Sequence, residues 1–281
     1  MTRRDLRVRP RIATKVTVPT SSAASEHAAA KRAKHLFRRW FFPGMAMLML
    51  ATSIAGFAPG ILDMAGRHEP VSALAAIHGI IFLVWLLLFL VQSLLARSAP
   101  VIWHRRLGIA SLFVLLVMVP IGYATAVAMV QRGSDLSGDQ HVGFSAYGPS
   151  LDAQTASVFN LLDLGFFALL AAGAFWFRTR LAIHKRLMLF ANIQLMGASV
   201  THLLGHTGLL SGGTVIGSFS AFLLVAVARD WVVDRRIHPL TAALAIISFV
   251  SLPMEASVIS PSAIWHHLVD KLAGVQGKVI L

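Results

Sequence analysis

The 281-residue chain has no cysteine, two tyrosines and only 12 acidic residues. The first absence excludes disulfides, thiolate metal sites and a cysteine nucleophile. The shortage of carboxylates against 25 Lys and Arg leaves a formal charge of +13. Such a balance would suit a nucleic-acid binder if the cations lined one solvated face, but here they stand in short clusters between apolar runs, so no nucleic-acid partner is expected. Also missing are a Gly-rich phosphate loop, a metalloprotease helix and a Ser/His/Asp signature at meaningful spacing, which argues against an enzyme of soluble substrates.

What the chain has is apolar length. It is 56% hydrophobic and 13% charged, with a mean hydropathy of +0.71, far from an ordinary soluble domain. Crossing a hydrocarbon layer takes about 20 helical residues, and runs of that order fall near 37–58, 73–96, 107–130, 155–177, 187–207, 213–233 and 239–256. None alternates as a strand would, and only helices satisfy their own backbone in lipid as single segments. The predicted fold is an all-α, polytopic membrane protein of seven transmembrane helices over 37–256. Every lysine lies outside the seven runs, so Schiff-base chemistry of the retinal kind is excluded.

If the first end is inside, the tail counted through Arg39 and the three inner loops with the span ends beside them hold eleven, three, four and three cations, 21 of the 25 Lys and Arg. The positive-inside rule then places the N-terminus in the cytoplasm and the C-terminus outside. Trp40, Trp103, Trp176 and Trp231 fall at the same inner boundary, the headgroup level that indole prefers. Residues 1–36 are rich in Arg, Ser, Thr and Ala without apolar periodicity, and are expected to be a disordered tail held against anionic lipid. An Arg-rich, acid-poor leader also has the composition of an organelle transit peptide. From Ala28 to Arg39 the basic pattern suits an interfacial helix leading into the first span. The loop Gln131 to Gln154 is expected to be an irregular outer cover. Residues 257–281 are expected to hold an outer interfacial helix with Ile264, Trp265, Leu268, Val269 and Leu272 on one side.

The chemistry-bearing residues lie on a few faces. His78, Trp85 and Gln92 recur every seven residues, so on a helix they fall within about 40° of one another, a polar-tinged stripe that should turn toward other helices. On the fifth span Gln194, Ala198, Thr201, His202 and Gly205 share one sector. His78, His202 and His206 belong to the outer half, and His104 and His184 to the inner rim. Asp163 stands inside the fourth span with Asn160 one turn earlier, and an intramembrane acid is a functional candidate or a hydrogen-bonding one. Gly213, Gly217 and Ala221 on the sixth span, and Gly197, Thr201 and Gly205 on the fifth, form small-residue lines that permit close backbone contact. Pro120 should kink the third span. Met45, Met47 and Met49 read as packing filler.

The second and third spans are joined by IWHRRL and the fourth and fifth by AIHKRL, so His104 matches His184 and Arg106 matches Arg186. Both connections run the same way, as in a parallel repeat, with spans two to five as a four-helix core. Two histidine layers on adjacent helices suit haem groups held by axial imidazoles. In the histidine opening one span and the HRRLG of His104 to Gly108, the chain resembles diheme cytochrome b electron carriers of the ascorbate-dependent ferric reductase type. It is also similar, over about residues 70–210, to bacterial multispanning proteins with the same HG, Q, HRRLG and HKRLM elements, which implies the inner membrane and a topology without an activity. The first resemblance implies haem b as cofactor, a redox partner, and His78, His202, His104 and His184 as the ligand candidates. His104 and His184 stand beside Arg and Lys, so the competing reading for them is solvation at the rim.

Three classes follow: a haem-bearing electron carrier; a small proton-coupled transporter built on Asp163, Asn160, Gln194 and Gln92; and a non-catalytic membrane protein that binds a partner or lipid.

Overall fold

A computed structural model describes residues 21–63, 70–98, 100–133 and 152–274. The readings of the tail before residue 21, of most of the outer loop and of the chain after Gly274 lie outside the described residues.

The described chain is helical, without strands, and seven helical segments are long and apolar enough to cross a membrane. Helix α1 covers Ser21–Leu62, α2 Ala73–Ser98, α3 Val101–Arg132 and α4 Ala153–Trp176. The fifth span is broken at Leu195 into α5, Leu181–Gln194, and α6, Met196–His206. Then come α7, Gly212–Asp234, α8, Pro239–Met254, a π-helical turn Glu255–Ile259, and α9, Ala263–Ala273. The protein is an all-α polytopic membrane protein.

Three helix starts lie upstream of the expected apolar runs, and two of them matter for the site. Helix α1 begins at Ser21, so the part of the expected tail from Ser21 on is helical, and its residues 25–36 are an exposed basic extension of the first span. Pro100 caps α3 at φ −56°, the angle a following helix needs, and α3 starts at Val101, not near 107. Leu181 starts α5 six residues before the expected 187. The HRRL and HKRL elements therefore lie within the first two helical turns, with His104 and His184 each three positions past a helix start.

Spans two to five pack consecutively, α2 on α3, α3 on α4 and α4 on α5, as the expected four-helix core. Helix α1 completes it by lying against α2 and α6. Met45 and Met49, one turn apart, are buried there, while Met47 on the other side is 58% exposed. Phe167, Phe190, Met118, Ile193 and Met196 are almost wholly enclosed at the centre. Ile80, Leu83 and Leu87 on α2 face outward, opposite the buried Trp85. Helix α3 runs through Pro120 without interruption.

Close backbone contact occurs elsewhere than on the sixth span. A Cβ at Gly213 or Gly217 would meet nothing within 4 Å, so that line faces outward. At Gly56 on α1 it would lie 2.5 Å from the Ser199 carbonyl oxygen on α6. Beside this crossing the Ser53 and Ser199 hydroxyls bond at 2.8 Å. The five apolar residues of the C-terminal segment also divide: Trp265 and Val269 pack with Val130 and Val158 of α3 and α4, while Ile264 is 83% exposed. Helix α9 is thus docked on the core by one edge, and Trp265 Nε1 donates to the Gln154 carbonyl at 3.0 Å.

Candidate functional site

A cavity of about 500 Å³ opens among α1, α2, α3 and α5 at the end where the cations gather, here the basic end. Its size lies within the range of small-molecule and cofactor sites, about 300–1,000 Å³. Trp85, Leu88, Phe89, Phe175 and Met188 form its apolar depth. Around the mouth stand His35, Arg38, Arg39, Arg97 and Lys185, and among the described residues no carboxylate lines it. Arg97 is fixed over the Trp40 ring, its guanidinium 3.4 Å from the ring centre, which ties α2 to α1 at the rim.

His104 and His184 meet across this cavity. Their ring centres are 6.4 Å apart and their planes perpendicular. The His184 Nδ1 is 2.8 Å from the Ala174 carbonyl of α4, a bond that requires Nδ1 to carry the hydrogen and leaves Nε2 as the lone-pair nitrogen. The His104 ring lies beside the main chain of Gln92, with Nδ1 buried and no full hydrogen bond closing on it. Gly108, one turn beyond His104, lies beside the Gln92 amide: a Cβ there would stand in ordinary contact, 3.6 Å from Gln92 Nε2. Gln92 Oε1 is buried without a partner. The inner pair and the Gln92 end of the stripe thus share one pocket, through a geometry that the positive neighbours at 105, 106 and 185 concealed.

Deeper in the same cavity Trp85 Nε1 donates to Asn192 Oδ1 at 3.1 Å, and Asn192 returns its amide hydrogen to the Met188 carbonyl at 2.8 Å. Trp85 also meets the Phe167 ring edge-on. At Trp85 the stripe of α2 therefore meets the fifth span, and Asn192 is the contact residue that periodicity alone did not single out.

The outer candidates are placed differently. His78 stacks on Phe82, one turn along its own helix, with ring centres 4.1 Å apart. His202 lies against Phe57 of α1 at 4.3 Å. Each of the two thus packs on a phenylalanine ring, whereas the inner pair meets ring to ring. Asn160 donates to the Met129 sulfur at 3.6 Å. Asp163 rests on the backbone of α6, where a Cβ at Gly197 would meet its Oδ2 at 3.4 Å. Gln194 is 1% exposed, and neither of its amide atoms has a partner.

Sequence reasoning missed a cluster that braces the site. Arg186, two residues past His184, donates from Nη2 to Asp230 Oδ1 at 2.7 Å and from Nε to Thr241 Oγ1 at 2.9 Å. Arg229 bonds Asp230 at 2.6 Å and Asp234 at 2.7 Å. Thr241 donates to Asp230 Oδ2 at 2.6 Å. Two cations and two carboxylates balance, and α5, α7 and α8 are held together where the fifth span begins. The available signal was Arg-Asp-x-x-x-Asp from 229 to 234, three charges on an apolar helix end. Next to it His238 caps α8, its Nδ1 accepting from the Leu240 amide at 3.1 Å. Burial, aided by the Arg186 charge, holds the His238 imidazole below its ordinary range.

Comparison with protein-family models, with curated proteins and with solved structures finds no match for this chain. Among the described residues no group of three or more His, Cys, Asp or Glu converges as a metal centre, which leaves the two-histidine pair as the ligating geometry on offer.

Proposed function

We propose that this integral membrane protein is a haem b-binding electron carrier whose haem is held by His104 and His184 at the basic end. The observation that carries the reading is the perpendicular pair at 6.4 Å. Two imidazoles on opposite sides of one metal, each with its nitrogen about 2 Å away and its ring centre about 1 Å further back, have centres about 6 Å apart. Haem iron, in turn, supplies a one-electron couple whose potential follows from axial ligands and burial.

The residues around the pair fit the chemistry of such a group. The Ala174 carbonyl holds the His184 tautomer that presents Nε2, as second-shell acceptors do for ligating histidines. Trp85, Phe89 and Phe175 keep water from the depth of the pocket. Arg38, Arg39, Arg97 and Lys185 offer charge-assisted hydrogen bonds to carboxylates at the mouth, where a haem b carries its two propionates. By the positive-inside rule this end faces the cytoplasm, with the N-terminus inside and, on the motif resemblance, in a bacterial inner membrane. A redox partner would then approach the basic face.

The test is titration of haem into the purified protein in detergent. A saturable Soret band at one haem per chain, shifting reversibly with dithionite, is the expected result. A chain that stays colourless with haem in excess contradicts the proposal.

A further inference from the structure

Away from the cavity, three polar side chains lie in the membrane interior with little to bond. Gln194 has neither amide atom satisfied, and Glu255 Oε2 is buried without a partner. Glu255 is 4% exposed and opens the π-helical turn that ends the seventh span. The π-helical turn packs on α4, with Ile259 in one cluster with Phe159 and Leu162; the two elements run antiparallel, so Glu255, four residues before Ile259, comes level with Asp163, four residues after Phe159, and the two carboxyl groups act on each other electrostatically. Gln194 stands three residues before Gly197, the glycine against which Asp163 packs. Helices α4 and α5 run antiparallel from the contact of His184 with Ala174, and ten residues on from it Gln194 comes level with Leu164, next to Asp163.

We propose that Asp163 and Glu255, with the Gln194 amide beside them, form a proton-binding site inside the membrane, one proton being shared between the two carboxyl groups. Two ionised carboxylates facing each other in a medium without water repel strongly and lose their hydration. A shared proton removes one charge and turns repulsion into a hydrogen bond, and the amide of Gln194 supplies both a donor and an acceptor for the rest. The elements packed against α4 and the π-helical turn include α3, α5, α8 and α9, α6 touches Asp163 at Gly197, and Glu255 is a charged group that acts on Asp163. The Lys185 and Arg186 cations of α5 belong to the basic end. On α9, His266 is engaged by the Ser260 carbonyl at 3.0 Å and Asp270 by Gln154 at 3.5 Å. His202 and His206 stand further along α6.

A metal cation fits these residues less well. Hard cations take about six or more oxygen ligands, and the oxygens of the π-helical turn are already used. The Glu255 carbonyl accepts from the Ser260 amide at 2.9 Å, and the Ala256 carbonyl accepts from the Ser260 hydroxyl at 3.0 Å. What is left suits a proton, whose demand is for two oxygens.

The site stands independently of the haem reading and is tested without haem. The full chain in liposomes is treated with dicyclohexylcarbodiimide, which enters apolar interiors and adds to carboxyl groups that hold a proton, and the peptides are read by mass spectrometry. The expected result is an adduct on Asp163 or Glu255 that declines as pH is raised and is lost in the Asp163→Asn, Glu255→Gln double variant. Sodium ions at fixed pH leave it unchanged. Absence of an adduct on either residue of the wild-type chain at acid pH overturns the proposal, as does labelling that ignores pH. Suppression by sodium overturns it in favour of a metal ion.

Discussion

The Arg186 guanidinium on α5 meets the Asp230 carboxylate on α7 at 2.7 Å, with side chains only 6% and 2% exposed. Removing one partner of a buried ion pair strands the other and costs about 3–5 kcal/mol. Asp230→Ala is therefore expected to lower stability by that order, and Asp234→Ala, whose carboxylate is 39% exposed, by much less. Thermal unfolding of both variants in detergent reads the difference. Equal melting temperatures would show that the cluster is not a brace.

Gly56 and Gly217 make opposite predictions from the same substitution. At Gly56 a new Cβ would press on the Ser199 main chain, which has no flexible end to give way, and at Gly217 it would meet nothing. Gly56→Ala is expected to separate α1 from α6 and to destabilise by about 1–3 kcal/mol, the usual cost of overpacking. Gly217→Ala should be neutral within the folded monomer. The same unfolding measurement decides both.

Trp85→Phe removes the Nε1 donor together with part of the ring volume, leaving Asn192 Oδ1 without its bond at 3.1 Å. An unsatisfied buried acceptor costs about 1–3 kcal/mol. Trp85→Phe with Asn192→Leu should recover part of that loss, and a double-mutant cycle that shows no coupling would remove this link between the second and fifth spans.

His238 gives the protein a pH-dependent cap. Its folded form is held below the ordinary imidazole range, so the unfolded chain takes the proton first as pH falls. The contribution is complete above the ordinary range near 6.5 and is lost as pH drops through the lower folded value, because a protonated Nδ1 no longer accepts from Leu240. His238→Asn, which retains a capping acceptor, is expected to flatten this part of the stability profile as pH falls below about 6.5. An unchanged profile would assign the acid sensitivity elsewhere.

The seven spans were legible because apolar runs of membrane length have few other readings, and the indoles at 40, 103, 176 and 231 are all exposed at the basic end. The meeting of His104 with His184 was harder to read. Charged neighbours suggested rim solvation for both, whereas one helical turn sends Arg105 and Arg106 outward and His104 inward. Arg186 and Arg229 counted as inner-loop cations, yet both are buried beside Asp230, because a loop charge tally does not see which cation finds a carboxylate. Glu255 fell at the edge of the last apolar run, and only the π-helical turn carries it back against α4. Which glycine line touches a neighbour depends on helix rotation, and spacing alone leaves rotation open.

The central claim is that the inner histidine pair, not the outer one, holds a haem. The most direct measurement is the reduced-minus-oxidised absorption spectrum of haem-loaded protein for His104→Ala, His184→Ala, His78→Ala and His202→Ala. Loss of the low-spin signal in the first two, with the last two retaining that of the wild type, is the result expected. Signals that survive at 104 and 184 and vanish at 78 or 202 would contradict it.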